Sequence, residues 1–108
     1  MGYLMTKLQN LVMLCIGVLS KRNETKYINK RLVTEKIKIL LDRDTQSFSV
    51  IISNVYKSLF KKELISLRGN FVALNKTGLK QAKDIRKQII NDYGVTNWET
   101  MKRYYEEK

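Results

Sequence analysis

Between Leu59 and Gly78 the chain reads Leu-Phe-Lys-Lys-Glu-Leu-Ile-Ser-Leu-Arg-Gly-Asn-Phe-Val-Ala-Leu-Asn-Lys-Thr-Gly. No other stretch restricts the fold as tightly. Two short β-tolerant runs, 64–68 and 71–74, flank Gly69-Asn70, a pair that tolerates the positive φ required by tight hairpin turns. Before them, Lys61 and Lys62 close an apolar-periodic segment, where cations suit the negative end of a helix dipole. After them, Asn75 is placed to cap a new helix. The segment therefore reads as a helix end, a two-stranded hairpin and a helix start in direct succession. A bare connector between helices has the same outline, so the use of the hairpin stays open at this point.

The 108 residues, 44% of them hydrophobic, suffice for a single packed core and exclude wholesale disorder. Charge is more telling: 21 Lys and Arg oppose 10 Asp and Glu, a net +11. Residues 1–87 hold 18 of the bases and 6 of the acids, whereas residues 88–108 are close to neutral. A polyanionic partner is the simplest explanation, because nucleic-acid backbones bind chiefly through charge. AT-rich coding is the competing one, since Lys and Ile dominate while Ala is scarce. The lone Cys15 precludes a disulfide framework within the chain. The longest apolar run, Leu11 to Leu19, is about half a membrane span, and Met1-Gly2 with Thr6 fits the myristoylation pattern only formally. These features lead to the expectation of an intracellular, cytoplasmic protein without membrane association.

Periodicity divides the chain into five helices. The first covers about Thr6 to Lys21, with Met5, Leu8, Val12, Cys15, Ile16 and Leu19 on one face. Leu11, Leu14 and Val18 lie off that stripe, and a helix apolar on more than one side is buried on more than one side. A second subunit is therefore expected to cover helix 1 along with its own core. Tyr27-Ile28 form a short strand, and a second helix follows from about Asn29 to Leu41. A turn at Asp42-Arg43-Asp44 leaves Asp44 or Ser47 as the next cap. The third helix runs from Thr45 or Ser47 to Lys62, a fourth from about Lys76 to Tyr93 closed by Gly94, and a fifth from Thr96 or Asn97 to about Glu106. On the fourth, Leu79, Ala82, Ile85, Ile89, Ile90 and Tyr93 form an apolar stripe. Trp98, Met101, Tyr104 and Tyr105 on the fifth require a covering surface, either the chain's own core or a partner subunit. Residues 1–94 thus form one domain, and 95–108 a C-terminal helix and candidate dimerisation element.

The third helix carries the strongest functional signal. At 100° per residue, Phe48, Ile52, Val55 and Leu59 share one face, with Ile51 and Tyr56 beside it. The opposite face presents Ser47, Val50, Ser53, Asn54, Lys57 and Lys61, and no acid occurs between Thr45 and Lys62. An ordinary solvated face mixes Glu with Lys. This one suits a DNA major groove, where Asn pairs with adenine, Val meets the thymine methyl, and Lys reaches guanine or phosphate.

The succession of helix, short strand, helix, turn, helix, two-stranded hairpin and helix resembles the winged helix-turn-helix superfamily. The resemblance covers about residues 6–92 and rests on Val33–Ile39 (VTEKIKI), Ser53–Ile65 (SNVYKSLFKKELI) and Phe71–Gly78 (FVALNKTG). The last two look like small regulators of the MarR, ArsR and PadR kind. There a helix ending in Leu and two charges leads through Gly-Leu-Ile into the wing, and Leu-Thr-x-x-Gly opens the next helix. Here Glu63 occupies the place of that first glycine and Asn75 that of the threonine. The lysine- and isoleucine-rich composition is also similar to that of small regulators carried by archaeal viruses and plasmids, whose location would be the host cytoplasm.

The resemblance implies a mainly α fold with a small β-hairpin, a winged helix-turn-helix with extra C-terminal helices. It further implies sequence-selective binding of double-stranded DNA, as a homodimer through helices 1, 4 and 5. The third helix would lie in the major groove and the wing on the adjacent backbone or minor groove. Ser53, Asn54 and Lys57 would then approach bases, Arg68 and Asn70 at the wing tip would touch phosphate or the minor groove, and Lys30 and Arg31 would clamp phosphate. Two other uses of the fold stay open: a protein-interaction module whose basic face docks an acidic partner, and a plasmid or viral replication or partition protein. An enzyme is not expected, because the chain has no histidine, one apolar-flanked cysteine, no clustered carboxylates and no Gly-rich phosphate loop. No cofactor or metal is implied.

Overall fold

The computed structural model describes residues 5–107; Met1 and Gly2 of the myristoylation pattern lie outside them. Eight elements follow in order: α1 (Lys7–Arg22), β1 (Ile28–Asn29), α2 (Lys30–Leu41), α3 (Gln46–Lys61), β2 (Ile65–Arg68), β3 (Phe71–Leu74), α4 (Lys76–Tyr93) and α5 (Trp98–Glu106). The result is a mainly helical domain with a small antiparallel sheet and additional C-terminal helices, consistent with a winged-helix-like architecture.

Helix α1 begins at a reciprocal cap, in which Thr6 Oγ1 accepts from the Gln9 amide and Gln9 Oε1 accepts from the Thr6 amide, both at 3.1 Å. Six consecutive residues, Leu11 to Ile16, are no more than 1% exposed. Consecutive residues on a helix point around its whole circumference, so this middle stretch of α1 is sheathed on every side. The covering elements are the chain's own: α2, α3, β3, α4 and α5 all pack against it. Of the three off-stripe positions, Leu11 and Leu14 are filled surfaces of this core, whereas Val18 is half-buried. Periodicity records which positions are apolar but carries no information about which chain covers them.

The sheet has the order β1-β3-β2. Strand β2 pairs with β3 from Ile65↔Leu74 to Arg68↔Phe71, and Gly69 makes the turn at φ +58°. The expected hairpin is therefore present, with a third strand added on the outer edge of β3. That strand lies one residue later than Tyr27-Ile28, because Ile28 aligns with Val72 and Asn29 with Phe71. Asn29 also caps α2, its side-chain oxygen accepting from the Arg31 amide at 2.8 Å.

Entry into the hairpin depends on two backbone positions. Glu63 adopts a left-handed φ of +59°, so the bend made elsewhere by glycine is made here by glutamate at a steric cost. Asn75 secures it, its amide nitrogen donating to the Glu63 carbonyl (2.6 Å) while its side-chain oxygen accepts from the Gly78 amide (2.8 Å). The first turn of α4 then runs so close to the bend that a Cβ on Gly78 would stand 2.0 Å from the Leu64 carbonyl oxygen.

Several local expectations change. Helix α3 is capped by Thr45, whose hydroxyl accepts from the Phe48 amide at 3.1 Å. Asp44 and Ser47 do not serve; Asp44 instead lies 3.3 Å from the Lys38 ammonium. Ile51 stands outside the core, and the apolar stripe of α4 splits: Ala82, Ile85 and Ile89 are buried while Leu79 and Ile90 are exposed. The stripe of α5 is covered by its own chain. Met101 and Tyr104 join the central apolar cluster, Asn10 Nδ2 donates to the Tyr104 hydroxyl at 2.8 Å, and the Lys36 ammonium stands 4.4 Å from the Trp98 ring centre.

Burial pushes the Cys15 thiol up to about 12 from its ordinary 9.0, with Lys36 pulling it slightly down. Burial also raises the Tyr56 phenol, against the lowering effect of its hydrogen bond with Thr34. Above pH 9.0 the unfolded thiol ionises while the folded one keeps its proton, so the folded state binds more protons and stability falls as pH rises.

Two experiments check these points. Replacing Gly78 by Ala should cost at least about 2 kcal/mol in urea denaturation, through backbone overpacking, whereas Glu63→Gly should gain about 0.5–1 kcal/mol by relieving the left-handed strain. The urea midpoint should stay flat up to about pH 8 and decline beyond pH 9, less steeply in Cys15→Ala. Alkylation of Cys15 below that pH should require unfolding.

Candidate nucleic-acid interface

The ten residues picked out by sequence pattern fall on three pieces of structure. Ser47, Val50, Ser53, Asn54, Lys57 and Lys61 are all exposed along α3, on the side away from the buried Phe48, Ile52, Val55, Tyr56 and Leu59. Arg68 and Asn70 are exposed at the hairpin tip, and at the start of α2 Lys30 is half-buried and Arg31 exposed.

The backbone of Lys30 joins these pieces. Its amide donates to the Asn70 carbonyl at 2.8 Å, which fixes the hairpin tip to the start of α2. Its carbonyl accepts from the Tyr56 hydroxyl at 3.0 Å and from the Thr34 hydroxyl at 2.9 Å, which fixes the middle of α3 to the same point. Tyr56 is buried up to this polar tip, so loss of the contact would leave buried acceptor capacity unmet. Residues 30, 56 and 70 are thereby held together although they are distant in sequence. Lys57 follows Tyr56 directly and is carried to the same region.

The electrostatics of this region favour an anion. Helix α2 opens with Lys30 and Arg31 and has no acid in its first turn. Cations beside the positive end of a helix dipole are unfavourable for the free protein, and an approaching phosphate would relieve both charges at once. Helix α3 likewise has no acid in its first turn. At the hairpin, the Arg68 guanidinium lies 4.9 Å from the centre of the Tyr27 ring, with the Lys26 ammonium 6.0 Å from the same ring. The ring orients the guanidinium without neutralising it.

Not every cation nearby is available. The Lys38 side chain is 13% exposed, donates to the Ser49 hydroxyl at 2.9 Å and pairs with Asp44 and Glu35. Lys62 donates to Gln9 Oε1 at 2.9 Å, tying the end of α3 to α1. Of the lysine pair closing α3, Lys61 is the exposed member and Lys62 the structural one.

Sequence pattern missed Lys26, Tyr27 and Phe71. Phe71 is exposed at the hairpin tip opposite Arg68. Phe-Val-Ala-Leu is apolar throughout and its last three residues are buried, so nothing in the pattern marked Phe71 as the exposed one. The packing of Tyr27 beneath Arg68 was not readable either, since it depends on the strand β1 joining the far edge of β3. Arg43 was also passed over as a turn residue; its guanidinium lies 4.8 Å from the Phe48 ring centre, near the front of α3.

No family model, curated protein or solved structure matches the chain. Among the described residues, no group of three or more His, Cys, Asp or Glu is placed to hold a metal, and no helix is long and apolar enough to cross a membrane.

The junction at Lys30 can be tested by Tyr56→Phe, which removes one hydroxyl and keeps the ring. A loss of about 0.5–1.5 kcal/mol in urea denaturation is expected, together with faster hydrogen exchange at the Lys30 amide. Unchanged exchange there would show that the hairpin tip and α3 are held independently.

Proposed function

We propose that this protein binds double-stranded DNA sequence-selectively and acts as a transcriptional regulator, with α3 in the major groove and the hairpin on the backbone or minor groove. The observation that carries this reading is the Lys30 junction, which holds an acid-free helix face, a cationic helix start and a cationic hairpin tip together. In that arrangement Ser53, Asn54 and Lys57 address base edges, with Val50 beside a thymine methyl. Lys30, Arg31, Arg68 and Asn70 address phosphates, and Ser47 and Lys61 mark the two ends of the helix contact.

The protein is proposed to act as a homodimer. The contact is proposed to use α1, α4 and α5; the middle of α1 is enclosed by its own chain, and Ile90 and Val95 are exposed on α4 and the approach to α5. Replication or partition of a plasmid or viral genome would use the same DNA surface to another end.

A second reading is favoured by a specific observation: α3 also exposes Ile51 (44%) and Phe60 (52%). Apolar side chains of this size beside a polar helix face suit a protein partner, and the fold serves either purpose. Salt separates the two readings. With roughly six to ten phosphate contacts, duplex affinity should fall about 10³- to 10⁵-fold between 50 and 200 mM salt, whereas a protein-interaction module would show no duplex binding at moderate salt. Asn54→Ala should relax base preference, and Arg68→Ala should weaken all duplexes alike. Selection from a random duplex pool should enrich a palindrome with half-sites about one helical turn apart. Absence of any enriched sequence would remove the case for sequence reading.

A further inference from the structure

A cavity of about 610 Å³ lies behind the sheet, between the C-terminal half of α1 and the first half of α4. Its volume falls in the range of about 300–1,000 Å³ that suits small-molecule sites. It shares only Lys26 with the surface described above.

Its walls are of two kinds. Leu14, Gly17, Val18, Leu74, Leu79 and Ala82 form an apolar lining. Leu79 remains 56% exposed, an open apolar surface on a helix whose neighbouring core positions are covered. Gly17 contributes depth, since a Cβ there would stand 3.4 Å from Leu74. The cations Lys21, Arg22, Lys26, Lys83 and Arg86 also border the cavity, and no acid does. None of these five forms an ion pair with a carboxylate among the described residues. Lys21 and Arg22 lie in the last turn of α1, where the helix dipole offsets part of their charge, whereas Lys83 and Arg86, in the middle of α4, have no such compensation.

We infer that this cavity binds a small anionic amphiphile, an apolar chain or ring bearing a carboxylate or comparable anionic head. The body would lie on Leu14, Val18, Leu74 and Leu79, and the head would meet Lys83 and Arg86 on α4 and Lys21 and Arg22 on α1. Unpaired cations around an apolar recess complement such a molecule in both of its parts. A neutral lipid would leave the cations unmet, and a bare inorganic anion would leave the apolar lining wet.

Titration calorimetry with dodecanoate, held below its micelle-forming concentration, tests the inference on the full chain. One-to-one saturable binding is expected, with dodecanol and inorganic phosphate each at least about tenfold weaker. The double variant Lys83→Glu, Arg86→Glu alters only exposed side chains and should weaken dodecanoate about tenfold or more. Lys80→Glu with Lys87→Glu changes net charge equally on the same helix, outside the cavity lining, and should weaken binding less than the Lys83, Arg86 pair. Val18→Trp should block the apolar lining, circular dichroism confirming the fold. The inference is overturned by any of four results: no saturable binding, equal binding of dodecanol, equal loss in both charge-reversed pairs, or association with phosphatidylglycerol vesicles but not with dodecanoate.

Discussion

Enclosure of α1 by the rest of the chain is the constraint on which the other features depend. Leu11 to Ile16 are buried around the full circumference of the helix, and each such side chain contributes about 1.5–3 kcal/mol on leaving water. A domain of this size is stable by only about 5–15 kcal/mol in total, so the burial of α1 is a large part of what holds the fold together. Helices α2, α3, α4 and α5 and strand β3 are positioned relative to one another by packing on the same helix. The polar surface is therefore presented by a scaffold that packing on α1 holds in place.

On that scaffold the candidate interface is joined by hydrogen bonds to a single residue's backbone. Lys30 receives Tyr56 from α3 and gives its amide to Asn70 of the hairpin. Burial of Tyr56 makes the first contact costly to lose, and the turn at Gly69 places the second. What results is an array of cations and small polar groups with few internal partners. Lys38, bonded to Ser49 and paired with Asp44, and Lys62, bonded to Gln9, are withdrawn from it.

Local chemistry was legible in the sequence, and distant contacts were not. Gly69-Asn70 defined the hairpin turn, and Asn75 and Gly94 punctuated α4 so that its observed span, Lys76–Tyr93, is the expected one. Each of these signals acts within a few residues. The ten candidate residues were likewise found through helical spacing and turn position, and all of them reach the surface at least in part. The cap of α3 falls at Thr45, one residue beyond Asp44, which lies beside Lys38 across the turn, a contact that no capping preference anticipates. The enclosure of α1, the convergence of residues 30, 56 and 70, the stacking of Arg68 on Tyr27 and the cavity beside α4 all join segments far apart in the chain. A single sequence specifies such contacts only through the finished packing. Glu63 is the instructive intermediate: its place in the pattern marked a required bend, and the bend forms without the glycine that usually relieves it.

If the three segments held at Lys30 bind nucleic acid as one surface, titration with a short duplex followed by backbone amide NMR should give shifts concentrated at Lys30 and Arg31, at the exposed positions from Ser47 to Lys61, and at Arg68 to Asn70, with α5 undisturbed. Shifts confined to α4 and α5, or no shifts at moderate salt, would contradict that reading.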